Sequence, residues 1–425
     1  MFEQSIFFIK VHILEYSSLR PWQLEKQFYA SGSGFCISIE GAKYFVTNSH
    51  VINNAHSISI KKHNDSEFVF AKVLYDNPHI DLAFLSCDID AKPLVIDYKI
   101  PNSREEVYLY GFPDGVQNVS VSKGIINRII MQELLMTNVV AIQIDNASYF
   151  GNSGGPLMYK DKVVGILNYG ITPGGSINFC IPSYFLKYMH QIYTNNKDPG
   201  ISSIAFKYQH LNPLYSKKHK YDGRGVIITK VLSPHSTIKP GDILTTFNGV
   251  MIDSDGTVML SSFLDIPKPL DFPVTVKHYA GIYTDNTPIK CTVWRDGKII
   301  DAITEIEYTS LGVEPKNNRF VRADENTLFV PLSFKGAEEM RSKGYNMSLI
   351  YMGYYPNKLN IVLVESVETP NITEVRTPAI VKAVNGKKPK TFEDFIKLMK
   401  ARELNITFRK WHEHLYMEKP KLIIK

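Results

Sequence analysis

Cysteine is scarce. Four residues in 425 (Cys36, Cys87, Cys180, Cys291) are too few for a disulfide framework and too far apart for the paired spacing of a zinc site. Cys36, Cys87 and Cys180 stand among apolar or small residues and are expected as buried thiols, which suits a reducing compartment. Long apolar runs are missing as well. No segment reaches the roughly 20 apolar residues that cross a bilayer as a helix. Near the N-terminus, Ile6-Phe7-Phe8-Ile9 is too short for a signal h-region, and no small-residue cleavage site follows. The chain therefore reads as soluble and unprocessed, cytoplasmic or otherwise intracellular, with export by a signal-less route left open. His56, His63 and His79 do not form a helical metal motif and are expected at the surface. No metal or cofactor is called for. Concentrated charge of one sign is also lacking: the net charge of +6 is spread along the chain. The densest basic runs, Lys217-Lys218-His219-Lys220 and Lys387-Lys388-Pro389-Lys390, read as solvated loops rather than as a nucleic-acid face.

What is present points to β structure in several domains. A chain of 425 residues exceeds one hydrophobic core. Its 24 tyrosines and 23 phenylalanines accompany many short Val/Ile-rich segments punctuated by Gly, Asn, Asp and Pro. From residue 5 to about 195 these predict a mainly β barrel or sandwich, with strands at 8–13, 34–39, 44–47, 69–74 and 163–167. A helix is expected over 183–193, with Ser183 as its N-cap. The breaker-rich segment 194–200 reads as a linker. Two further modules follow, each with a strand and then a second strand ending in Asn-Gly, at Asn248-Gly249 and Asn385-Gly386, a tight-turn signal. After the second, Thr391 and Asp394 form a capping-box pattern ahead of a helix whose Phe392, Phe395, Ile396 and Met399 share one face. The expected division is 1–198, 201–305 and 306–425.

The strongest chemical signal is Gly151-Asn152-Ser153-Gly154-Gly155-Pro156-Leu157. A serine between glycines on a sharp turn presents its hydroxyl outward and lets a substrate backbone approach. The turn Gly151-Asn152-Ser153 is the expected oxyanion hole, with the N–H groups of Gly151 and Ser153 aimed at one point. A serine hydroxyl needs a base, and the base an orienting carboxylate. His50, ending the apolar strand before Val51-Ile52, is the candidate base. Asp81, opening the strand Leu82-Ala83-Phe84-Leu85, is the candidate carboxylate, since a buried charge requires a partner. Singly, each could be structural: a hairpin loop, a strand-end histidine, a turn aspartate. Together, in the order His, Asp, Ser, they make a catalytic triad.

Residues 28–190 resemble the protease domain of the HtrA/Deg family, in Ser31-Gly32-Ser33-Gly34-Phe35, Thr47-Asn48-Ser49-His50-Val51, Asp81-Leu82-Ala83-Phe84-Leu85, the serine loop and Ile181-Pro182-Ser183. Residues 225–257 resemble the first PDZ domain of the plant-type Deg proteases in Phe247-Asn248-Gly249-Val250 and Asp255-Gly256-Thr257; those proteins carry a second, degenerate PDZ domain, matching 306–425 in position. The resemblance implies a chymotrypsin-like double β-barrel followed by two PDZ-like α+β domains, homotrimers or hexamers, and ATP-independent cleavage of unfolded or damaged polypeptides in protein quality control. Ala147 stands six positions before the serine, where trypsin-like enzymes place an acidic residue, so a basic P1 side chain is not expected. Leu167, Asn168 and Tyr169 with Ile177, Asn178, Phe179 and Cys180 are the expected pocket walls. In that last stretch the family has a glycine and an alanine where Asn178 and Cys180 stand, which changes the pocket depth. Loops at about 15–30, 128–139 and 168–176 are expected to set the oxyanion turn. Gly225-Val226-Ile227-Ile228 is the expected edge for a C-terminal peptide in the first PDZ-like module. The alternative is a chaperone or PDZ binding scaffold with a latent protease site.

Overall fold

The architecture is that of a computed structural model, which describes residues 2–16, 24–116, 118–134, 137–170, 177–196, 200–259, 273–276, 288–310, 321–324, 327–331, 361–366, 379–408 and 421–424. The chain divides into two compact units, 1–13 with 28–309 and 14–27 with 310–425.

The first unit holds two closed six-stranded barrels. Strands β1 (Ile6–Tyr16), β2 (Leu24–Ile39), β3 (Ala42–Thr47), β4 (Ala55–Lys62), β5 (Val69–Asn77) and β6 (Leu82–Cys87) close in the order β1-β2-β3-β6-β5-β4. Strands β7 (Glu106–Gly111), β8 (Ser120–Leu134), β9 (Thr137–Ile144), β10 (Pro156–Tyr159), β11 (Lys162–Gly170) and β12 (Asn178–Pro182) close in the order β10-β11-β12-β9-β8-β7. Closure leaves no edge strand unpaired, and the inward residues fill the barrel. Phe7, Ile9, Val11, Phe45, Ile60 and Leu85 pack one cluster. Every strand expected from alternation between 8 and 167 is found. The segment expected as a loop over 128–139 is instead a long hairpin, with Met131 opposite Val140 and Leu134 opposite Thr137.

Three features fix one barrel against the other. The segment between β6 and β7 bonds to both: the Leu94 N–H donates to the Cys36 carbonyl at 2.8 Å and the Asp97 N–H to the Val163 carbonyl at 2.9 Å. Phe8 and Phe112 meet edge to face at 5.7 Å between ring centres. Helix α1 (Tyr184–Thr194) packs back onto the first barrel, where Tyr44 Oη and His190 Nδ1 lie 3.0 Å apart. Ser183 precedes this helix but does not cap it. Its hydroxyl donates to the Asp97 carbonyl at 2.6 Å, drawn off by the inter-barrel segment.

After α1 comes a seven-stranded sheet. Its strands are β13 (Gly200–Ile204), β14 (Phe206–His210), β15 (Val226–Val231), β16 (Ile243–Phe247), β17 (Val250–Met251), β20 (Pro288–Arg295) and β21 (Lys298–Ser310), in the order β13-β21-β20-β16-β15-β14 with β17 on β16. Helix α2 (Pro213–His219) is capped by Asn212, and β18 (Thr257–Met259) pairs with β19 (Pro273–Thr275). Strand β21 runs past the boundary expected at 305/306. The buried Asp242 carboxylate pins the sheet by accepting from Arg295 Nε and Nη2, both at 2.7 Å.

The second unit contains the sheet β22 (Val321–Asp324), β23 (Thr327–Pro331), β24 (Ile361–Ser366), β25 (Ala379–Val384), β26 (Leu404–Phe408) and β27 (Lys421–Ile424), with helix α3 (Phe392–Leu398). Its capping box is formed as expected: the Asp394 N–H donates to Thr391 Oγ1 at 3.1 Å and the Thr391 N–H to the Asp394 carboxylate at 3.3 Å. Phe392 and Phe395 pack with Phe329, Val381, Val384, Leu404 and Ile406.

Candidate active site

His50 opens a short 3₁₀ turn at the end of β3, and Asp81 sits just before β6, which pairs with β3. The strand pairing therefore brings the two together. Asp81 holds the left-handed conformation (φ 53°), sparsely populated outside glycine, and so turns its carboxylate back on His50. Asp81 Oδ2 lies 2.7 Å from His50 Nδ1, and Oδ1 accepts the His50 backbone N–H at 2.8 Å. The Asn48 amide donates to the Asp81 carbonyl at 2.9 Å and holds its backbone. Burial works against the charged ring, but the hydrogen bond to Asp81 and its negative charge outweigh that, so His50 titrates above the ordinary histidine range. The His50 side chain is 47% exposed while Asp81 is buried, which leaves the ring accessible to a reacting group. A second carboxyl, Asp76, is pushed up to about 6 by burial, against a hydrogen bond from Ser49, with the Asp81 charge adding to the rise.

Ser153 lies on the turn entering β10. Gly154 (φ 86°) is confined there: a Cβ would overlap the Ser33 carbonyl and Thr47 Oγ1 and crowd the Asn48 N–H, so the serine turn is pressed against the strand end that carries His50. The Ser153 carbonyl accepts from the Ser33 N–H at 2.8 Å, and the Gly154 N–H donates to the Leu167 carbonyl at 3.0 Å. The Ser153 hydroxyl donates to the Asn168 carbonyl at 3.0 Å.

The oxyanion turn is held by its carbonyls. The Phe150 carbonyl accepts from the Asp114 N–H at 2.5 Å, and the Gly151 carbonyl from Ser33 Oγ at 2.7 Å. In a trans peptide the C=O and the following N–H point opposite ways, so the captured Phe150 carbonyl turns the Gly151 N–H outward. Among the described residues, the N–H groups of Gly151 and Ser153 donate to no other group. Asn152 does not share this role. Its N–H donates inward to the Tyr149 carbonyl at 3.2 Å, which removes it from the expected set of oxyanion donors.

The expected pocket residues separate by burial. Ala147 is exposed and Ile177 is 40% exposed, whereas Leu167, Asn168, Asn178, Phe179 and Cys180 are buried. The side chain of Tyr169 lies outside the described residues, as do 171–176. Leu167 and Cys180 face each other across β11 and β12, as do Gly170 and Asn178. Asn178 Nδ2 donates to the Asn146 carbonyl at 2.5 Å, and a Cβ on Gly170 would overlap its side-chain oxygen. The amide thus spans from the segment before Ala147 to the end of β11.

Three further expectations need correction. Cys87, expected as a buried thiol, is only partly buried. Val226–Val231 is not an open edge: Lys207 pairs with Lys230 on one side and Val226 with Leu244 on the other. Both rows of its backbone groups are engaged, so the stretch Gly225-Val226-Ile227-Ile228 cannot add a strand. His79, expected at the surface, is 4% exposed, and burial pushes its pKa down to about 4. Ser33 and Asn48 lie in motifs that carried the resemblance, but the hydrogen bonds they make here, and that of Asp114, were not anticipated.

Paired barrels, one carrying a His–Asp couple and the other a glycine-flanked serine turn, are the arrangement of a trypsin-like peptidase domain, and residues 32–166 match the family of trypsin-like peptidase domains. The chain is 34% identical over 253 residues to putative protease Do-like 3, mitochondrial, of Arabidopsis thaliana, covering 56% of this chain and 44% of that protein. This relative is named as a Do-like protease, the naming carried by the HtrA/Deg proteins. The chain is also 32% identical over 232 residues to a serine protease DegP homolog of Plasmodium falciparum (isolate 3D7), covering 50% of this chain and 26% of that protein. The chain thus spans about half or less of these curated relatives. Among solved structures, HtrA-type protease AlgW with tripeptide superimposes with a TM-score of 0.56 at 21% identity, over 72% of this chain and 94% of that one, a likeness of fold. No helix among the described residues is long and apolar enough to cross a membrane.

Proposed function

We propose that the chain is an ATP-independent serine endopeptidase that cleaves unfolded or damaged polypeptides, with Ser153, His50 and Asp81 as its triad. The observation that carries this is the 2.7 Å pair of His50 Nδ1 with the Asp81 carboxylate, on a strand end pressed against the Ser153 turn. Ser153 Oγ leaves the Asn168 carbonyl and attacks the peptide carbonyl as His50 takes its proton. Asp81 holds the imidazole with its other nitrogen free and stabilises the imidazolium. The N–H groups of Gly151 and Ser153 receive the oxyanion. His50 then protonates the leaving amine, and water, deprotonated by His50, releases the acyl group.

The module over 201–305, extended by β21 to 310, is read as PDZ-like, with C-terminal peptides as its ligands. Its candidate edge moves from β15 to β14, which ends the described sheet order. The second unit is read as the degenerate PDZ-like domain, and trimers or hexamers as the assembly. Relatives named as mitochondrial and chloroplastic support an intracellular setting.

One observation favours the scaffold reading: the resting Ser153 hydroxyl is committed to the Asn168 carbonyl. Cleavage of unfolded β-casein by wild type and Ser153→Ala decides between them. The protease reading expects cleavage by wild type alone, with folded proteins spared. A wild type inert across pH, temperature and added C-terminal peptides would favour the scaffold.

A further inference from the structure

The oxyanion turn has a lock outside the triad. Ser33 lies on β2 in the first barrel, 0% exposed, and every polar group it owns is spent within this one junction. Its hydroxyl donates to the Gly151 carbonyl at 2.7 Å and accepts the Phe112 N–H at 2.9 Å. Its own N–H donates to the Ser153 carbonyl at 2.8 Å, and its carbonyl accepts the Thr47 hydroxyl at 2.8 Å. One residue therefore ties the strand leading to His50, both ends of the oxyanion turn, and the turn after β7.

The geometry points to Ser33 as a positioning residue that keeps the oxyanion turn in its donating form; this rests on the protease reading given above. The argument concerns peptide planes. The direction of the Gly151 N–H is fixed by the plane of the 150–151 peptide, whose carbonyl the Asp114 N–H captures. The next plane, 151–152, is fixed by the hydroxyl of Ser33 on the Gly151 carbonyl. If the first plane rotates, the Gly151 N–H changes direction; if the second rotates, the chain between Gly151 and Ser153 shifts, and in either case the two N–H groups no longer converge. The two captures are linked, because the hydroxyl that holds the Gly151 carbonyl also accepts from Phe112, two residues before Asp114. Gly151 has φ 95°, where a glycine turns freely, so the sequence of the turn does not impose one form and outside contacts must. An alanine at 33 would keep the backbone bonds, leave the Gly151 carbonyl and the Phe112 N–H without their buried partner, and free the turn to rotate.

The test compares wild type, Ser33→Ala and Ser33→Thr on a fluorogenic peptide drawn from a casein cleavage site. Active molecules are counted by labelling with a fluorophosphonate. For Ser33→Ala we expect kcat per active molecule to fall about 10- to 100-fold, short of or equal to the loss of an oxyanion donor, with KM little changed. Affinity for a peptide boronate, which needs the oxyanion donors, should fall by the same factor, while affinity for the cleaved product peptide stays. Ser33→Thr, which keeps the hydroxyl, should recover most of kcat. A wild-type kcat and boronate affinity in Ser33→Ala would overturn the proposal, as would a loss that Ser33→Thr shares in full while folded. If Ser33→Ala does not fold, Ser33→Cys replaces it: a weaker donor of similar size should lower kcat at constant KM, and an unchanged kcat again overturns the proposal. A wild type that cleaves nothing fails the protease reading instead, so the two failures are distinguishable.

Discussion

At the residue scale, the chemistry rests on how one carboxylate sets one imidazole. Asp81 is buried and bonds both His50 Nδ1 and the His50 backbone. Its pull raises the histidine pKa despite burial, so activity should fall as pH drops through a value above the ordinary 6.5. In Asp81→Asn the opposing desolvation remains and the attraction is gone, so the acid limb of kcat/KM should move to lower pH. The wrong tautomer should also lower kcat by about 10⁴-fold. A pH–rate profile of both proteins checks this; an unmoved limb would show that Asp81 does not govern His50. The candidates His50, Asp81 and Ser153 stand out in the sequence because each sits in a short motif whose chemistry needs that residue type. Ser33 and Asn48 stand in motifs that carried the resemblance and Asp114 in none, but no role was read for any of the three. Their roles come from hydrogen bonds across separations such as the 118 residues between Ser33 and Gly151, which no local pattern encodes.

At the scale of elements, the strands that were predicted in the two barrels are all found, since period-two burial is a local property, but half of the twelve were not named. It did not say which strands neighbour each other. Val226-Ile227-Ile228 reads as a strand and is one, but pairing on both sides closes it to a ligand. Likewise Ser183 has the chemistry of a cap, but its hydroxyl is turned to donate to the Asp97 carbonyl and accepts no N–H of the helix. At the β11–β12 pair, the amide of Asn178 spans from the Asn146 carbonyl to Gly170, beside the expected pocket walls. Its removal in Asn178→Gly should raise cleavage after leucine or phenylalanine relative to alanine by about tenfold, the scale on which apolar pockets discriminate size. Fluorogenic peptides that differ only at P1 measure this ratio, and an unchanged ratio would remove Asn178 from the pocket.

At the scale of the molecule, the site exists only because two barrels are docked, with His50 and Asp81 on one and Ser153 on the other. Length and linker composition predicted three domains, 1–198, 201–305 and 306–425, whereas the chain divides into two compact units, with 28–309 in one of them; the docking surfaces of the barrels were not legible. Phe112, fully buried, meets Phe8 across the junction and lends its backbone N–H to Ser33. Phe112→Ala should cost about 3–5 kcal/mol of stability and should lower activity at temperatures below its unfolding. Thermal unfolding followed beside peptide cleavage tests this; coincident loss of both, as in an ordinary core deletion, would argue that the junction has no separate bearing on the site.

The central claim is that Ser153 is a nucleophile activated by His50. Its most direct measurement is labelling by a fluorophosphonate, with the modified peptide identified by mass spectrometry in wild type, Ser153→Ala and His50→Ala. The account predicts a single adduct on Ser153, absent in Ser153→Ala and slowed by orders of magnitude in His50→Ala. Labelling elsewhere, or at an equal rate without His50, would contradict it.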